Sequence, residues 1–147
     1  MNVADVTRRY HFSASHRLHV DSFSDDQNLA LFGKCNSPFG HGHNYTLEVT
    51  ARGEIDEATG MVIDQEALNH LVETAVLRDL DMKYLNEQVP AFLKTVPTTE
   101  NLVDEIRRRL EQRWDEALGA GGMPHKAKLR RVRIIETRKN EFDTTCG

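Results

Sequence analysis

Residues 43–54, HNYTLEVTARGE, alternate between apolar and polar side chains along most of their length. A period of two is typical of a β-strand that buries one face and leaves the other polar. The inward-facing set is Tyr45, Leu47, Val49 and Ala51. The outward-facing set is Thr46, Glu48, Thr50 and Arg52. The stretch therefore predicts a strand whose apolar face packs against the hydrophobic core.

An earlier segment, residues 6–16, alternates in the same way and predicts a second strand. His16 ends the row of side chains that begins with Tyr10 and Phe12. Residues 17–40 between the two strands are rich in Asp, Ser, Asn, Gly and Pro. This composition predicts a long loop, and loops of this length are usually functional or mobile.

The second half of the chain predicts two helices and two further strands. One helix follows Asp64 as the N-cap and carries an apolar stripe that ends at Leu80; the other follows Thr98 and carries a stripe that ends at Leu118. Residues 128–137 predict a long strand, and residues 140–146 a short one. The order ββααββ indicates an α+β fold, with an antiparallel four-stranded sheet and two helices on one face.

Composition limits the possible functions. A length of 147 residues predicts one domain, 1–147, and a net charge of −4 argues against a nucleic-acid partner. No apolar run reaches signal-peptide or membrane-spanning length, so we expect a cytoplasmic protein without a membrane partner. Two cysteines 111 positions apart do not form a disulfide framework.

Potential metal ligands cluster in CNSPFGHGHN, residues 35–44. His41 and His43 are two positions apart, so on a strand both imidazoles project from one face. His16 is the best third ligand, because it ends the alternating face of the neighbouring strand. Three neutral imidazoles favour zinc among the common cellular metals.

Cys35 leaves two kinds of site open. A set of Cys35 and three histidines would be a closed, structural site, whereas three histidines alone leave a fourth position for water or substrate. The spacing allows the thiol to lie on the metal or a few ångströms away.

Four motifs in register resemble the 6-pyruvoyltetrahydropterin synthase family. They are FSASHRL (12–18), CNSPFGHGHNY (35–45), PTTEN (97–101) and IIET (134–137). The resemblance implies a T-fold whose subunits assemble their sheets into a barrel, usually as a hexamer of two trimers. Such an assembly would cover exposed sheet edges.

The resemblance also implies roles for individual residues. The zinc ligands would be His16, His41 and His43, and Cys35 would be a catalytic acid and base. Thr98, Thr99 and Glu100 would help to bind the pterin substrate. Glu136 would anchor the pterin ring, since a carboxylate accepts two in-plane N–H bonds at once.

The implied reaction converts 7,8-dihydroneopterin triphosphate to 6-pyruvoyltetrahydropterin with elimination of triphosphate. The related 6-carboxytetrahydropterin synthases of the queuosine pathway act on the same substrate. Carboxy-type members usually have a shorter gap between the cysteine and HGH, so the five residues here favour the pyruvoyl type.

One departure concerns the LDH motif, whose Asp-His pair activates the family's cysteine. This chain reads LDM: Asp81 is present, and Met82 stands in place of the histidine. A thioether carries no proton at neutral pH. His70 and His125 are candidate replacements, and a pterin-binding homologue with weak turnover is an alternative.

Overall fold

Two 14-residue strands form the centre of the sheet in the computed structural model, which describes residues 2–119 and 126–146. Strand β1, Val3–His16, pairs antiparallel with β2, His41–Glu54, without a register shift. Directly opposed residues share a face of the sheet. The inward face predicted for β2 is confirmed, because Tyr45 is 1% exposed and Leu47, Val49 and Ala51 are fully buried.

Three further strands complete the sheet in the order β3-β1-β2-β4-β5. β4, Lys128–Thr137, and β5, Asn140–Thr145, pair antiparallel as predicted. The prediction of a four-stranded, wholly antiparallel sheet is wrong in one respect, because β3, Lys83–Tyr84, pairs parallel with β1. A strand of two residues is too short to show a sequence period.

The two predicted helices are both present, as is the predicted N-cap of each. The first consists of α2, Gln65–Val72, a π-helical turn, Glu73–Leu77, and α3, Arg78–Leu80. The Asp64 carboxylate caps α2 by accepting from two backbone N–H groups. The second helix is α5, Thr99–Gly119, where the Thr98 hydroxyl accepts from the Asn101 N–H at 3.2 Å.

Two short helices were not predicted. α1, Asp25–Phe32, lies in the segment predicted to be a long loop, and α4, Leu85–Gln88, directly follows β3. α1 has no apolar stripe, since Leu29 and Leu31 are exposed and Asn28 is its buried residue. The local capping box of Ser24 and Gln27 starts this helix.

The helices cover the apolar face of the sheet, where α5 packs against α2 and β4. Leu47 and Val49 from β2 and Leu68 and Leu110 from the helices are fully buried there. Among the described residues, no helix combines the length and apolarity that a membrane span requires.

The other face of the sheet is polar, as predicted, and is crossed by a row of alternating charges. Glu48 is 5% exposed because it lies between Arg9, at 2.6 Å, and Arg133, at 3.7 Å. Arg133 also pairs with Asp143 on β5 at 3.1 Å. Opposite charges on neighbouring strands stabilise their pairing.

Leu110→Ala should lower the free energy of unfolding by about 2–5 kcal/mol, because it leaves a cavity in the buried core. Leu31→Ala removes the same kind of side chain from a 62% exposed position of α1. It should change the free energy of unfolding by less than about 0.5 kcal/mol. Chemical denaturation of the two variants measures both values. Equal losses would contradict the assignment of the core.

Candidate functional site

The three predicted histidine ligands meet where β1 ends and β2 begins. His16 is paired with His41 across the two strands, and His43 follows on the same face. The ring centroids of His16 and His43 are 5.0 Å apart, and those of His41 and His43 are 4.7 Å apart. Strand pairing therefore brings the three imidazoles together.

His16 has the environment of a metal ligand. Its Nδ1 lies 3.0 Å from the Pro97 carbonyl oxygen, which can only accept, so Nδ1 carries the proton and Nε2 the lone pair. Nε2 is buried without a hydrogen-bond partner. Burial, together with the charges of His43 and His41, outweighs this hydrogen bond and lowers the pKa of His16 to about 4. A neutral imidazole with an unused buried nitrogen fits a metal ion.

Cys35 completes a compact group of metal-binding atoms. It lies in the 3₁₀ turn Gly33–Asn36, with Sγ 3.9 Å from His43 Nε2. The ligand atoms of His16, Cys35 and His43 all lie within 4.8 Å of one another. Two imidazoles and a thiol suit zinc or a similar transition metal. His41 contacts this group through its ring, and its role as a ligand stays a prediction.

The turn that carries Cys35 is tied to the end of β1. The Leu18 N–H donates to the Cys35 carbonyl at 2.7 Å, and the Asn36 side chain donates to the Leu18 carbonyl at 2.9 Å. Gly40 has φ of 80°, and a Cβ there would lie 3.2 Å from the Tyr84 ring. The return of the chain to His41 thus requires glycine.

Glu136 is next to the metal-binding group, although its sequence position alone is typical of an exposed residue. Its side chain is 10% exposed, and Oε1 lies 3.0 Å from His43 Nε2. Burial raises the pKa of the Cys35 thiol, and the Glu136 charge raises it further. Burial lowers the pKa of His43, against the opposing effect of Glu136. The site thus combines neutral imidazoles, a protonated thiol and one carboxylate.

Comparison with known proteins supports the resemblance drawn from the motifs. Residues 5–145 match the family model of 6-pyruvoyl tetrahydropterin synthase. This chain belongs to that family. It is 51% identical over 109 residues to the 6-pyruvoyl tetrahydrobiopterin synthase of Homo sapiens, which covers 74% of this chain and 75% of the relative.

Two further relatives of the family bear on fold and product. The structure of Caenorhabditis elegans 6-pyruvoyl tetrahydropterin synthase superposes with a TM-score of 0.85 at 35% identity, covering 100% of this chain and 98% of that one, and confirms the T-fold. A putative 6-carboxy-5,6,7,8-tetrahydropterin synthase of Archaeoglobus fulgidus is 32% identical, over 78% of this chain and 82% of the relative.

The PTTEN motif of the synthase family reaches the site through its backbone. The Pro97 carbonyl orients His16, and the Thr98 hydroxyl caps α5. Thr99 is 3% exposed, and Glu100 is exposed in the first turn of the helix. The roles of Thr98, Thr99 and Glu100 in pterin binding stay predictions. Sequence reasoning missed Pro97, because its contribution comes from a carbonyl group and not from a side chain.

Asp81 and Met82 lie against the edge of β1. Asp81 Oδ1 accepts from the Ser13 N–H at 2.9 Å, and the Met82 N–H donates to the Ser13 carbonyl at 2.6 Å. Met82 has φ of 60° and is 78% exposed. Among the described residues, the carboxylate whose charge raises the pKa of the Cys35 thiol is Glu136. The catalytic role of Asp81 stays a prediction.

The candidate replacements for the missing histidine are not supported by a contact. His70 is exposed on α2, and its carbonyl accepts from the Thr74 hydroxyl. It is not part of the metal-binding group found among residues 2–119 and 126–146. His125 lies outside the described residues.

His16→Ala should reduce bound zinc from about one ion per chain to a small fraction, because it removes a preoriented, neutral nitrogen ligand. Elemental analysis of purified, folded protein measures this. His70→Ala removes an exposed imidazole from α2 and should keep the full zinc content. Full zinc in His16→Ala would exclude His16 as a ligand.

Proposed function

We propose that this chain converts 7,8-dihydroneopterin triphosphate to 6-pyruvoyltetrahydropterin, with elimination of triphosphate, at a zinc centre held by His16, His41 and His43. The observation that carries the proposal is the convergence of His16, Cys35 and His43 within 4.8 Å, in a chain of this family. Zinc, when bound, supplies a Lewis acid that stabilises negative charge on the side-chain oxygens of the substrate.

Glu136 is proposed to position the pterin ring. Its carboxylate is largely shielded from water, and Oε1 lies 3.0 Å from a ring nitrogen in the site, His43 Nε2. The amino and ring N–H groups of a pterin offer such a carboxylate two donors in one plane. On substrate binding, the carboxylate would accept from these two donors.

Cys35 is proposed to move the protons. As a thiolate it would take a C–H proton from the substrate side chain, triphosphate would leave, and the thiol would return a proton to the rearranged side chain. Burial and Glu136 raise the thiol pKa, so only a minor fraction is thiolate at neutral pH. Turnover should therefore increase with pH above neutrality.

Two alternatives remain within the same site. The relative from Archaeoglobus fulgidus supports a 6-carboxytetrahydropterin product, whereas the five-residue gap between Cys35 and HGH favours the pyruvoyl product. Weak turnover of a bound pterin would follow from Met82. Identification of the pterin product from dihydroneopterin triphosphate distinguishes the three.

A homo-oligomeric assembly in the cytoplasm, as a hexamer of two trimers, belongs to the same proposal. Within the described ranges 2–119 and 126–146, β5 pairs with β4 alone, and β3 covers only two residues at the end of β1. Both outer edges therefore offer unpaired backbone groups to strands of other subunits.

Cys35→Ala should abolish triphosphate release while zinc content stays close to that of the wild type. The reason is that the proposed ligands are three imidazoles, and the thiol serves only in proton transfer. Cys146→Ala is the matched control and should retain both zinc and turnover. Loss of zinc from Cys35→Ala would indicate a closed site in which the thiol is a ligand, and the proposed mechanism would fail.

Met82→His should increase turnover at neutral pH and move the rise of the pH–rate profile to lower pH. The imidazole would provide the base that the family pairs with the aspartate, here Asp81. The exposed position has room for the ring, and histidine tolerates a positive φ better than most residues.

Met82→Gln is the control, since it places a polar side chain of similar length there without a titrating group. The measurement is triphosphate release as a function of pH for the three proteins. A profile of Met82→His that coincides with the wild type would show that another group already activates Cys35.

A further inference from the structure

We infer that Arg17 is an oligophosphate-binding residue, and, resting on the proposed function, that it holds the triphosphate of the substrate. Arg17 directly follows His16, where β1 ends. The backbone thus leaves the sheet at Arg17, immediately after the residue that carries the buried imidazole.

The backbone of Arg17 is fixed on both sides of its Cα. Asn86 Oδ1 accepts from the Arg17 N–H, and Asn86 Nδ2 donates to the Arg17 carbonyl, both at 2.8 Å. Asn86 follows β3, the strand that pairs with β1 up to Ser15. One side-chain amide therefore continues the pairing that the two-residue strand begins.

The side chain is fixed as well, against the turn that carries Cys35. Arg17 Nε donates to the Asn36 carbonyl at 3.2 Å, and the Asn36 side chain donates to the Leu18 carbonyl at 2.9 Å. The guanidinium is thereby held between the segment of His16 and the segment of Cys35. Its half-buried position limits the freedom that binding would otherwise have to remove.

The charge of this guanidinium is not neutralised within the described part of the chain. Arg9, Arg52 and Arg109 each pair with a carboxylate, whereas the polar contact of the Arg17 side chain is a backbone carbonyl. One of its five N–H donors is used by Asn36, and the others remain.

A fixed guanidinium with free donors matches the paired oxygens of a phosphate, which it can bind in bidentate geometry. Lys34 precedes Cys35 in the same turn and adds a second positive charge. A ligand with several phosphate charges would benefit most from this arrangement. The triphosphate of the proposed substrate is such a ligand.

Calorimetric titration of the zinc-loaded, full-length protein tests the assignment with two probes. Inorganic triphosphate carries only the group in question, and dihydroneopterin carries only the pterin and its side chain. Arg17→Gln should weaken binding of inorganic triphosphate about 10- to 100-fold, as expected for lost charge-assisted hydrogen bonds, and should leave binding of dihydroneopterin unchanged. Arg17→Lys keeps the positive charge but lacks the planar guanidinium. Its affinity for inorganic triphosphate should therefore lie between those of the wild type and Arg17→Gln.

Arg113→Gln is the matched control, because it removes one positive charge from α5, where Arg113 donates to the Thr74 hydroxyl. It should bind inorganic triphosphate as the wild type does. An equal loss in both variants, or wild-type affinity in folded Arg17→Gln, would overturn the assignment. Loss of zinc or of dihydroneopterin binding in Arg17→Gln would overturn it too, since Arg17 would then be a structural residue.

The same measurements separate this inference from the proposed function. A wild-type protein that binds inorganic triphosphate through Arg17 without turning over the pterin supports the binding site and contradicts the proposed reaction. Turnover by the wild type together with undiminished triphosphate binding by Arg17→Gln supports the reaction and contradicts the binding site.

Discussion

The unbroken pairing of β1 with β2 is the constraint on which the site depends. Phe12 lies opposite Tyr45 with the two rings stacked at a centroid distance of 5.0 Å, and the same register places His16 opposite His41. Burial of the aromatic pair thus fixes the positions of the imidazoles. A slip of one residue would turn every side chain of β1 to the other face, and His16 would leave the group.

Residues far apart in the sequence then determine the protonation and the polar contacts of the histidines at this strand end. The Pro97 carbonyl, 81 positions after His16, sets the tautomer of its ring, and burial keeps that ring neutral. Glu136 brings a carboxylate from β4 to His43. Under the proposed function, Arg17 supplies the positive charge that the neutral imidazoles of His16 and His43 cannot offer to a phosphate. The roles of proton transfer, ring recognition and anion binding are thereby assigned to different side chains.

The sequence predicted the parts of the structure that depend on periodicity and caps. The four predicted strands and both predicted helices follow from burial on one face, and Asp64 and Thr98 cap the helices as expected. α1 was not predicted because its side chains are mostly exposed and show no apolar stripe. β3 was not predicted because two residues are too few to show a period. The contributions of Pro97 and Asn86 could not be predicted, since both act on or through backbone groups that only the tertiary structure brings together.

The contact between Glu136 and His43 links the two halves of the proposed site. His43 Nε2 can donate a proton to the carboxylate or give its lone pair to a metal, and it cannot do both at once. A metal on this nitrogen would remove it as a partner of Glu136. Under the proposed function, the carboxylate would then be available to the in-plane N–H groups of a pterin. Affinity for the pterin ring would thus depend on the metal even where the two do not touch, because both act on one contact, that of His43 with Glu136.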